Sequence, residues 1–251
     1  MPTNDRSTRV LVTRPASQAF NLSEQLSAAG LTPIPYPSIE IQTIDADPRA
    51  RQQLSQLAEQ DYLIFTSANA VSHADQLLKW HWPKLPNQLV AIGPKTADSL
   101  RRIGLTPSII AQAPFTSESL LDKFPVQLDA KTATLIKGEG GRSFLADQLR
   151  QRGLALQSID VYRRGRPEYT ALPDETLDYI TISSQLALSN LFALLPTRAE
   201  QLKQHCHFIV FSQRIAEYAQ SLGCQHVDAS PEASDEGLVS TILRIEKAHQ
   251  F

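Results

Sequence analysis

The feature of this sequence that most constrains its fold is an internal repeat. One repeated pair aligns YLIFTSANAVSHADQLL, residues 62–78, with YITISSQLALSNLFALL, residues 179–195, without a gap. A second pair aligns LVAIGPKTADSLRRIGL (89–105) with FIVFSQRIAEYAQSLGC (208–224), and each copy has a glycine where a helix is expected to end. Each half therefore contains the same series of short apolar strands and amphipathic helices. This series predicts an α/β fold with two similar lobes, each a parallel sheet flanked by helices.

Two extended segments indicate how the lobes are connected. Residues 33–44 and 154–169 are rich in proline or β-branched residues and occupy matching places in the two halves. We expect them to contain paired linkers between the lobes. The resulting assignment is 1–35 plus 168–251 for the first lobe, 42–160 for the second lobe, and 36–41 and 161–167 for the linkers. The residues alone leave another arrangement open, in which two tandem lobes meet near residue 126.

Composition excludes several classes of protein. The chain has 24 Lys and Arg residues against 26 Asp and Glu residues, and this near-neutral balance argues against a nucleic-acid or membrane-surface protein. The opening stretch MPTNDRSTRVLVT lacks the apolar core of a secretion signal, and no apolar run approaches the roughly 20 residues that span a bilayer. Two cysteines, Cys206 and Cys224, do not indicate a disulfide framework. We therefore expect a soluble cytoplasmic protein.

Hydroxyl side chains follow predicted strands or open predicted helices in both halves. They are Thr66, Ser67, Thr96, Ser117, Ser183, Ser184 and Ser212. Each one alone is typical of a helix N-cap. In open α/β sheets, however, ligands bind at the carboxyl ends of the strands. We therefore also expect caps and loops from both lobes to line a cleft with N–H and O–H donors, which suits a ligand carrying many carboxylates.

The glycine-rich segment GEGGRS, residues 138–143, does not fit a nucleotide-binding loop. Position 143 is serine, so the third glycine of the dinucleotide motif is missing, and the ending of a phosphate-binding loop is missing as well. Two interpretations remain: an anion site at a helix N-terminus, or a tight turn with Arg142 in solvent. The His205–Cys206–His207 cluster and the nearby Cys224 and His226 do not have the spacing of zinc ligands, so no metal site is predicted.

Five motifs together resemble the uroporphyrinogen-III synthase family. They are FTSANAV (65–71), IGPKTA (92–97), SESLL (117–121), KGEGGRSFL (137–145) and VYRR (161–164), and they occur in that family's order and spacing. The resemblance covers nearly the whole chain. It implies two α/β lobes joined by a two-stranded antiparallel linker, which favours paired linkers over tandem lobes.

The resemblance also implies an activity. Members of the family are cyclising, dehydrating lyases. They close the linear tetrapyrrole hydroxymethylbilane with loss of water and inversion of ring D, in the biosynthesis of heme, siroheme or cobalamin. They use no metal and no organic cofactor. The pyrrole nitrogen of the substrate expels the hydroxyl itself, so the protein's task is positioning together with modest proton assistance.

The same resemblance places Ser67, Asn69, Thr96 and Ser184 at the cleft, and most other substrate-binding residues come from the hydroxyl and glycine-rich patterns described above. The family's functionally implicated tyrosine falls on Tyr162, whose neutral phenol can donate a hydrogen bond to the leaving hydroxyl. The expected substrate-binding set is Arg14, Thr66, Ser67, Asn69, Thr96, Ser117, Gly138, Arg142, Ser183, Ser184 and Ser212. The chain departs from the family pattern at Ile215, where threonine is usual, at Ser212, where glycine is usual, and at Lys137, where arginine is frequent. The first two departures weaken the prediction of a side-chain contact from the helix that follows Ser212. Lysine at position 137 keeps the positive charge but loses the bidentate fork of arginine.

The expected partner is the tetrapyrrole substrate, with a transient contact to the upstream enzyme that makes hydroxymethylbilane. We expect neither nucleic acid nor membrane as a partner, and we expect a monomer. An alternative class of protein also fits the residues. A cytoplasmic two-lobe sensor or binding module could close on a small anionic ligand without chemistry, and Tyr162 would then only pack the linker.

Overall fold

A computed structural model of the chain shows two compact units. The first unit combines the segment up to Glu40 with the segment from Gly165 onward, and the second unit is the continuous segment Ile41–Arg164. The structure describes residues 7–44, 48–79, 81–86, 88–168, 171–172 and 176–249. The start of the opening stretch, residues 1–6, and parts of the predicted first lobe lie outside these ranges.

Strands and helices alternate along the chain. Up to residue 121 they are β1 (Arg9–Val12), α1 (Ala16–Ala28), β2 (Thr32–Pro35), β3 (Glu40–Thr43), α2 (Pro48–Ser55), β4 (Tyr62–Phe65), α3 (Ala68–Leu77), β5 (Gln88–Ala91), α4 (Pro94–Arg102), β6 (Ile109–Ile110) and α5 (Ser117–Leu121). After residue 121 they are β7 (Thr132–Gly138), α6 (Phe144–Gln151), β8 (Ala155–Gly165), β9 (Tyr179–Ile182), α7 (Gln185–Leu194), α8 (Ala199–His205), β10 (His207–Val210), α9 (Gln213–Ser221), β11 (His226–Ala229) and α10 (Asp235–His249).

The two sheets share one topology. The first unit's sheet has the strand order β11-β10-β9-β1-β2, and its strands pair in parallel. The second unit's sheet has the order β6-β5-β4-β7-β8, with β3 added beyond β8. Its pairs from β6 to β8 are also parallel. Each strand of the first unit therefore has its counterpart in the second, and the predicted fold class is confirmed.

The chain passes from one unit to the other at two places. Strand β8 continues without a break from Ala155 to Gly165, because Val161 and Tyr162 remain buried in the core of the second unit. The Ile44 N–H donates to the Val161 carbonyl at 3.1 Å, and Arg163 Nε lies 3.2 Å from Gln42 Oε1. Gln42 precedes Ile44 along the chain, whereas its partner Arg163 follows Val161, so these contacts join β3 and β8 in antiparallel directions. The division between the two units falls between residues 40 and 41 and between residues 164 and 165. The linkers at 36–41 and 161–167 remain a prediction.

The cores explain why the strands are short apolar runs. In β4, Leu63 and Phe65 join a buried cluster on one face of the sheet, and Ile64 joins a separate cluster on the other. A parallel sheet covered on both faces requires such continuous apolar strands. The first unit has its own buried cluster, which includes Leu22 of α1 and Ile242 of α10. Each unit therefore holds its own hydrophobic core.

The strand order also determines where a ligand would bind. In the second unit β4 and β7 are neighbours, but the connections that follow them go to opposite sides. From β4 the chain passes through α3 to β5, and from β7 it passes through α6 to β8. In open α/β sheets such a switch point opens a crevice at the carboxyl ends of the strands, where ligands bind. The first unit has the same switch point between β1 and β9. Within the described ranges, no helix is both long enough and apolar enough to cross a membrane.

Candidate active site

Two serines cap equivalent helices at the carboxyl edges of the two sheets. Ser67 is the N-cap of α3, and its Oγ accepts a hydrogen bond from the Ala70 N–H at 3.0 Å. Ser184 is the N-cap of α7, and its Oγ accepts from the Ala187 N–H at 3.1 Å. Both serines have extended backbone, as N-cap residues do. The N-cap interpretation of these two hydroxyls is therefore correct, and it places both of them at a switch point.

Tyr162 reaches the same edge of the second unit from strand β8. Its side chain is 3% exposed, and its Oη lies 3.2 Å from Ser67 Oγ. Ser67 Oγ already accepts the Ala70 N–H, and it keeps one hydrogen of its own. When Ser67 donates that hydrogen to the phenol oxygen, the O–H of Tyr162 is left to donate to another group. The pair can therefore act as a short relay of neutral hydroxyl donors.

Gly138 lies directly beneath the tyrosine ring. It is the last residue of β7, opposite Tyr162 at a register shift between the two strands. A Cβ at this position would come within 2.4 Å of Tyr162 Cζ and 2.8 Å of its Oη. The Glu139 N–H donates to the Tyr162 carbonyl at 2.8 Å. The first glycine of GEGGRS therefore provides the space in which the catalytic candidate lies.

Lys137 holds the turn that follows Gly138. Its Nζ donates to the carbonyls of Gly138 at 3.1 Å and Gly140 at 3.3 Å, and it lies 2.7 Å from an oxygen of Asp160. These contacts use a single compact ammonium group rather than the fork of a guanidinium. The lysine that stands where the family often has arginine therefore serves the local turn.

The ring of Tyr162 has two further neighbours that sequence reasoning missed. His73 of α3 packs against it with ring centroids 5.4 Å apart and planes inclined at 30°, and the Arg164 guanidinium carbon lies 5.7 Å from the ring centre. His73 Nδ1 is 2.7 Å from Thr43 Oγ1, and burial lowers the pKa of this histidine from its ordinary value. His73 is half-buried on α3, the helix that Ser67 caps, and no local sequence pattern indicated its contact with Tyr162.

The structure places the other predicted residues of the second unit in three different local environments. Thr66 bonds through its hydroxyl to the Ile136 carbonyl at 3.4 Å. Asn69 is half-buried and Thr96 is buried, each in the first turn of its helix. Ser117 does not cap α5: it is the first helical residue, and Thr116 is the N-cap, with its hydroxyl accepting from the Ser119 N–H. The expectation of a cap at Ser117 is therefore wrong by one residue, because adjacent hydroxyls have nearly the same preference for this position.

Arg142 lies apart from the tyrosine. Its side chain is 80% exposed, and Nη1 is 3.5 Å from Glu118. Gly140 and Gly141 before it have φ of +70° and +86°, and Ser143 caps α6 without a side-chain bond. Of the two interpretations left open by the sequence, the tight turn with a solvated arginine agrees with this geometry.

The corresponding edge of the first unit contains the remaining candidates. Arg14 forms a close ion pair with Asp235, and Asn21 donates to the same carboxylate at 2.9 Å. Ser183 is half-buried between β9 and α7. Ser212 is at the N-cap position of α9 but makes no side-chain cap bond, and the family-unusual Ile215 is buried in that helix. Arg14 therefore shares its charge with Asp235 instead of presenting it alone.

The histidines and cysteines noted in the sequence lie at the opposite edge of the first unit's sheet, where β10 and β11 begin. Burial raises the pKa of the Cys206 thiol to about 12 and that of the Cys224 thiol to about 11. His207 Nε2 is 2.7 Å from Asp228. In the part of the chain that the structure describes, no three His, Cys, Asp or Glu side chains form a group that could hold a metal ion.

These features define a class of protein: a duplicated, doubly wound α/β protein with neutral hydroxyl donors at the switch point of its second unit. A sequence model described as "Uroporphyrinogen-III synthase HemD" matches residues 21–240. The chain belongs to the uroporphyrinogen-III synthase family. The relatives include the uroporphyrinogen-III synthase of Escherichia coli K12, 29% identical over 93% of this chain and 99% of the relative. The enzyme of that name from Synechococcus elongatus is 27% identical over 90% of this chain and 83% of the relative.

Solved structures give the same likeness at the level of the fold. The uroporphyrinogen-III synthetase of Helicobacter pylori aligns with a TM-score of 0.61 at 18% identity, over 95% of this chain and 99% of that one. A mutant uroporphyrinogen III synthase of Thermus thermophilus aligns with a TM-score of 0.58 at 21% identity, over 97% and 99% of the two chains. The architecture of two α/β units is therefore that of the family.

Proposed function

We propose that the chain cyclises hydroxymethylbilane to uroporphyrinogen III, with the reaction assisted at the carboxyl edge of its second unit. The observation that supports this proposal most directly is the match to the family across residues 21–240, which includes every motif of the resemblance and the tyrosine–serine pair. The chain is accordingly a cyclising lyase of tetrapyrrole biosynthesis. The identity of the residues that act on the substrate is the part that the following arguments propose.

The reaction needs little from the protein beyond placement and a proton donor. The nitrogen of the pyrrole that carries the hydroxymethyl group expels the hydroxyl and leaves an electrophilic azafulvene carbon. The substituted carbon of ring D then attacks that carbon and forms the new C–C bond. A spiro intermediate forms, then fragments and recloses with ring D inverted. The hydroxyl leaves as water once it receives a proton. A neutral O–H aimed at the leaving oxygen therefore assists the first step, and the shape of the binding site controls the second.

Tyr162 is the residue proposed to make that donation. The hydroxyl of Ser67, 3.2 Å from Tyr162 Oη, can donate to the phenol oxygen and leave the phenol hydrogen for the substrate. The close approach of Gly138 gives the ring a rigid support. The substrate-binding role of the other hydroxyl and arginine candidates remains part of this proposal, with donors distributed over many residues.

The deciding experiment is an isomer assay. Purified protein is mixed with freshly prepared hydroxymethylbilane, and the uroporphyrinogen isomers are separated after oxidation. We expect the type III isomer at a rate well above the spontaneous reaction, which gives type I in a parallel sample without protein. Type I product at the spontaneous rate would refute the enzymatic function and favour a binding module.

Tyr162→Phe tests the assignment of the donor. Phenylalanine keeps the ring and its packing, so only the O–H is lost. General acid assistance is typically worth about 10²–10⁴-fold, and because the pyrrole already drives hydroxyl loss we expect a fall in kcat of about 10²-fold or somewhat less. The residual product should remain type III and KM should change little. Turnover equal to the unmodified protein would make Tyr162 structural.

We also propose that the protein acts as a cytoplasmic monomer in transient contact with the enzyme that makes hydroxymethylbilane. The motivation is chemical, because this substrate cyclises spontaneously to the wrong isomer. In a coupled reaction of the two enzymes, the type I fraction should rise less on dilution than free diffusion of the substrate predicts. A type I fraction that follows free diffusion at every dilution would contradict the contact.

A further inference from the structure

We propose that His73, held by Thr43, is a positioning residue that fixes the ring of Tyr162 for proton donation. This inference rests on the proposed function of Tyr162. His73 lies outside the five motifs of the family resemblance, two residues beyond the end of FTSANAV.

The phenol has only one described hydroxyl partner, so its direction depends on what holds the ring. The contact between Tyr162 Oη and Ser67 Oγ is 3.2 Å, at the long end for two hydroxyl groups. Gly138 supports the ring but, having no side chain, does not grip it. The His73 ring, 5.4 Å away and inclined at 30°, is within the range of a favourable aromatic pair. His73 therefore limits the rotation that would move the phenol away from Ser67.

The imidazole is itself held in one orientation. Thr43 Oγ1 donates its single hydrogen to Gln76 Oε1 at 2.8 Å, so its oxygen accepts from His73 Nδ1, which is 2.7 Å away. This contact places the proton of the neutral imidazole on Nδ1. Thr43 lies on β3, the strand next to β8, which carries Tyr162. The hydrogen bond therefore connects α3 to the same edge of the sheet as the phenol.

One helix carries two of the groups that contact Tyr162. Ser67 caps α3 and contacts the hydroxyl of Tyr162, and His73, further along α3, contacts its ring. Because a helix is rigid over this distance, the two contacts are fixed relative to each other. A displacement of about 1 Å at a reacting group can cost up to about 10²-fold in rate. A residue that prevents such a displacement contributes to kcat without contacting the substrate.

A double-mutant cycle separates this role from ordinary packing. Turnover is measured for His73→Ala, Tyr162→Phe and the double variant, with the exposed His81→Ala as the matched histidine control. We expect His73→Ala to lower kcat about 10-fold with KM within about 2-fold, because orientation is lost and binding is not. In the Tyr162→Phe background the same change should alter kcat less than about 2-fold, because no phenol remains to be oriented.

Two conservative variants test the contacts individually. His73→Phe keeps an aromatic ring beside Tyr162 and should restore most of the turnover lost in His73→Ala. Thr43→Val removes the hydrogen bond but keeps the shape, and should lower kcat about 3-fold in the Tyr162 background only. Equal loss of turnover for His73→Ala with and without the phenol would overturn the proposal, since it would mean that His73 only stabilises the fold.

A measurement that needs no turnover completes the test. The protein has 6 tyrosines, so labelling Cζ with ¹³C gives few resonances, and Tyr162→Phe identifies the one that belongs to Tyr162. His73→Ala should shift or broaden that resonance, and His81→Ala should leave it unchanged. An unmoved Tyr162 resonance in a folded His73→Ala protein would overturn the proposal even if turnover falls.

The failure of this inference can be told apart from the failure of the proposed function. If Tyr162→Phe turns over normally, the assignment of the donor fails whatever His73 does. If Tyr162→Phe is slow while His73→Ala turns over like the unmodified protein, the assignment of the donor stands and the positioning role fails.

Discussion

Gly138 and Tyr162 show how a glycine-rich turn can serve a side chain. The same letters could have indicated a phosphate loop, but the Cα of Gly138 lies against the phenol ring, where any side chain would collide with it. Gly138 is not among the residues with positive φ, so the requirement for glycine is steric at this position. The position of the phenol ring therefore depends on the missing side chain at Gly138 as well as on the contact with Ser67.

Gly138→Ala should reduce activity more than a mutation of a neighbouring loop residue. The added Cβ would be 2.4 Å from Tyr162 Cζ, so the ring must move away from Ser67. Overpacking of this kind typically costs about 1–3 kcal/mol of unfolding free energy. The displacement should also lower kcat about 10-fold or more. The control is Glu139→Ala, an exposed side chain next to it, and normal turnover in Gly138→Ala would contradict the role of the close contact.

The half-buried histidine His73 should make the stability of the protein depend on pH. Burial lowers the pKa of His73, so below its ordinary value of 6.5 the unfolded chain takes up a proton that the folded chain does not. The unfolding free energy should therefore be fully present above pH 6.5 and fall as the pH drops toward the folded pKa. His73→Phe should show a smaller fall than the unmodified protein in parallel denaturant titrations. Identical pH profiles for the two proteins would refute the contribution of His73.

At the level of elements, the duplication provides its own control for helix capping. Helices α3, α7 and α9 follow parallel strands in equivalent ways, and each has a serine at its N-cap. Ser67 and Ser184 accept a backbone N–H, whereas Ser212 makes no such bond. The three N-cap serines therefore differ in whether the side chain accepts a hydrogen bond from a backbone N–H.

Alanine substitutions should separate these three caps. Ser67→Ala and Ser184→Ala should each lower the unfolding free energy by about 0.5–2 kcal/mol, the usual cost of losing a cap. Ser212→Ala should cost much less, because no side-chain bond is lost. Equilibrium denaturation of the three variants measures the difference. Equal losses at all three serines would contradict the prediction that the side-chain bonds at Ser67 and Ser184 set the size of the loss.

The sequence predicted the order of these elements but not their exact limits. The repeat was enough to match β4 with β9 and α3 with α7, because apolar period and turn residues are local properties. It was not enough to choose Thr116 over Ser117 as the cap, since the two hydroxyls have similar preferences. The repeat did not show that β8 continues to Gly165. The sequence pattern of an extended segment fits a linker as well as a strand, and the burial of Val161 and Tyr162 distinguishes the two. The contact between His73 and Tyr162 depends on which strands become neighbours, so no local pattern indicates it.

At the scale of the whole molecule, the two units differ in how their chain is arranged. The second unit is one continuous segment, whereas the first is assembled from the two ends of the chain. In the second unit Tyr62 pairs with Ala133, whereas in the first unit Val10 pairs with Tyr179, which is farther away along the chain. Closing the longer loop costs more conformational entropy, although the cost grows only with the logarithm of length. Pairing of β3 with β8 removes most of this difference, because it brings the two crossings together.

This arrangement predicts an order of folding. Once the second unit has folded, residues 40 and 165 are close together, and β1 and β9 then meet as if joined by a short connection. Pulsed hydrogen exchange during refolding should therefore protect the amides of β4 and β7 before those of β1 and β9. Ile136→Val, in the buried centre of β7, should cost about 0.5–1.5 kcal/mol and delay protection in both units. Ile180→Val, in the buried centre of β9, should cost a similar amount and delay the first unit alone. Protection of β1 and β9 before β4 and β7, or a delay of the second unit by Ile180→Val, would contradict this order.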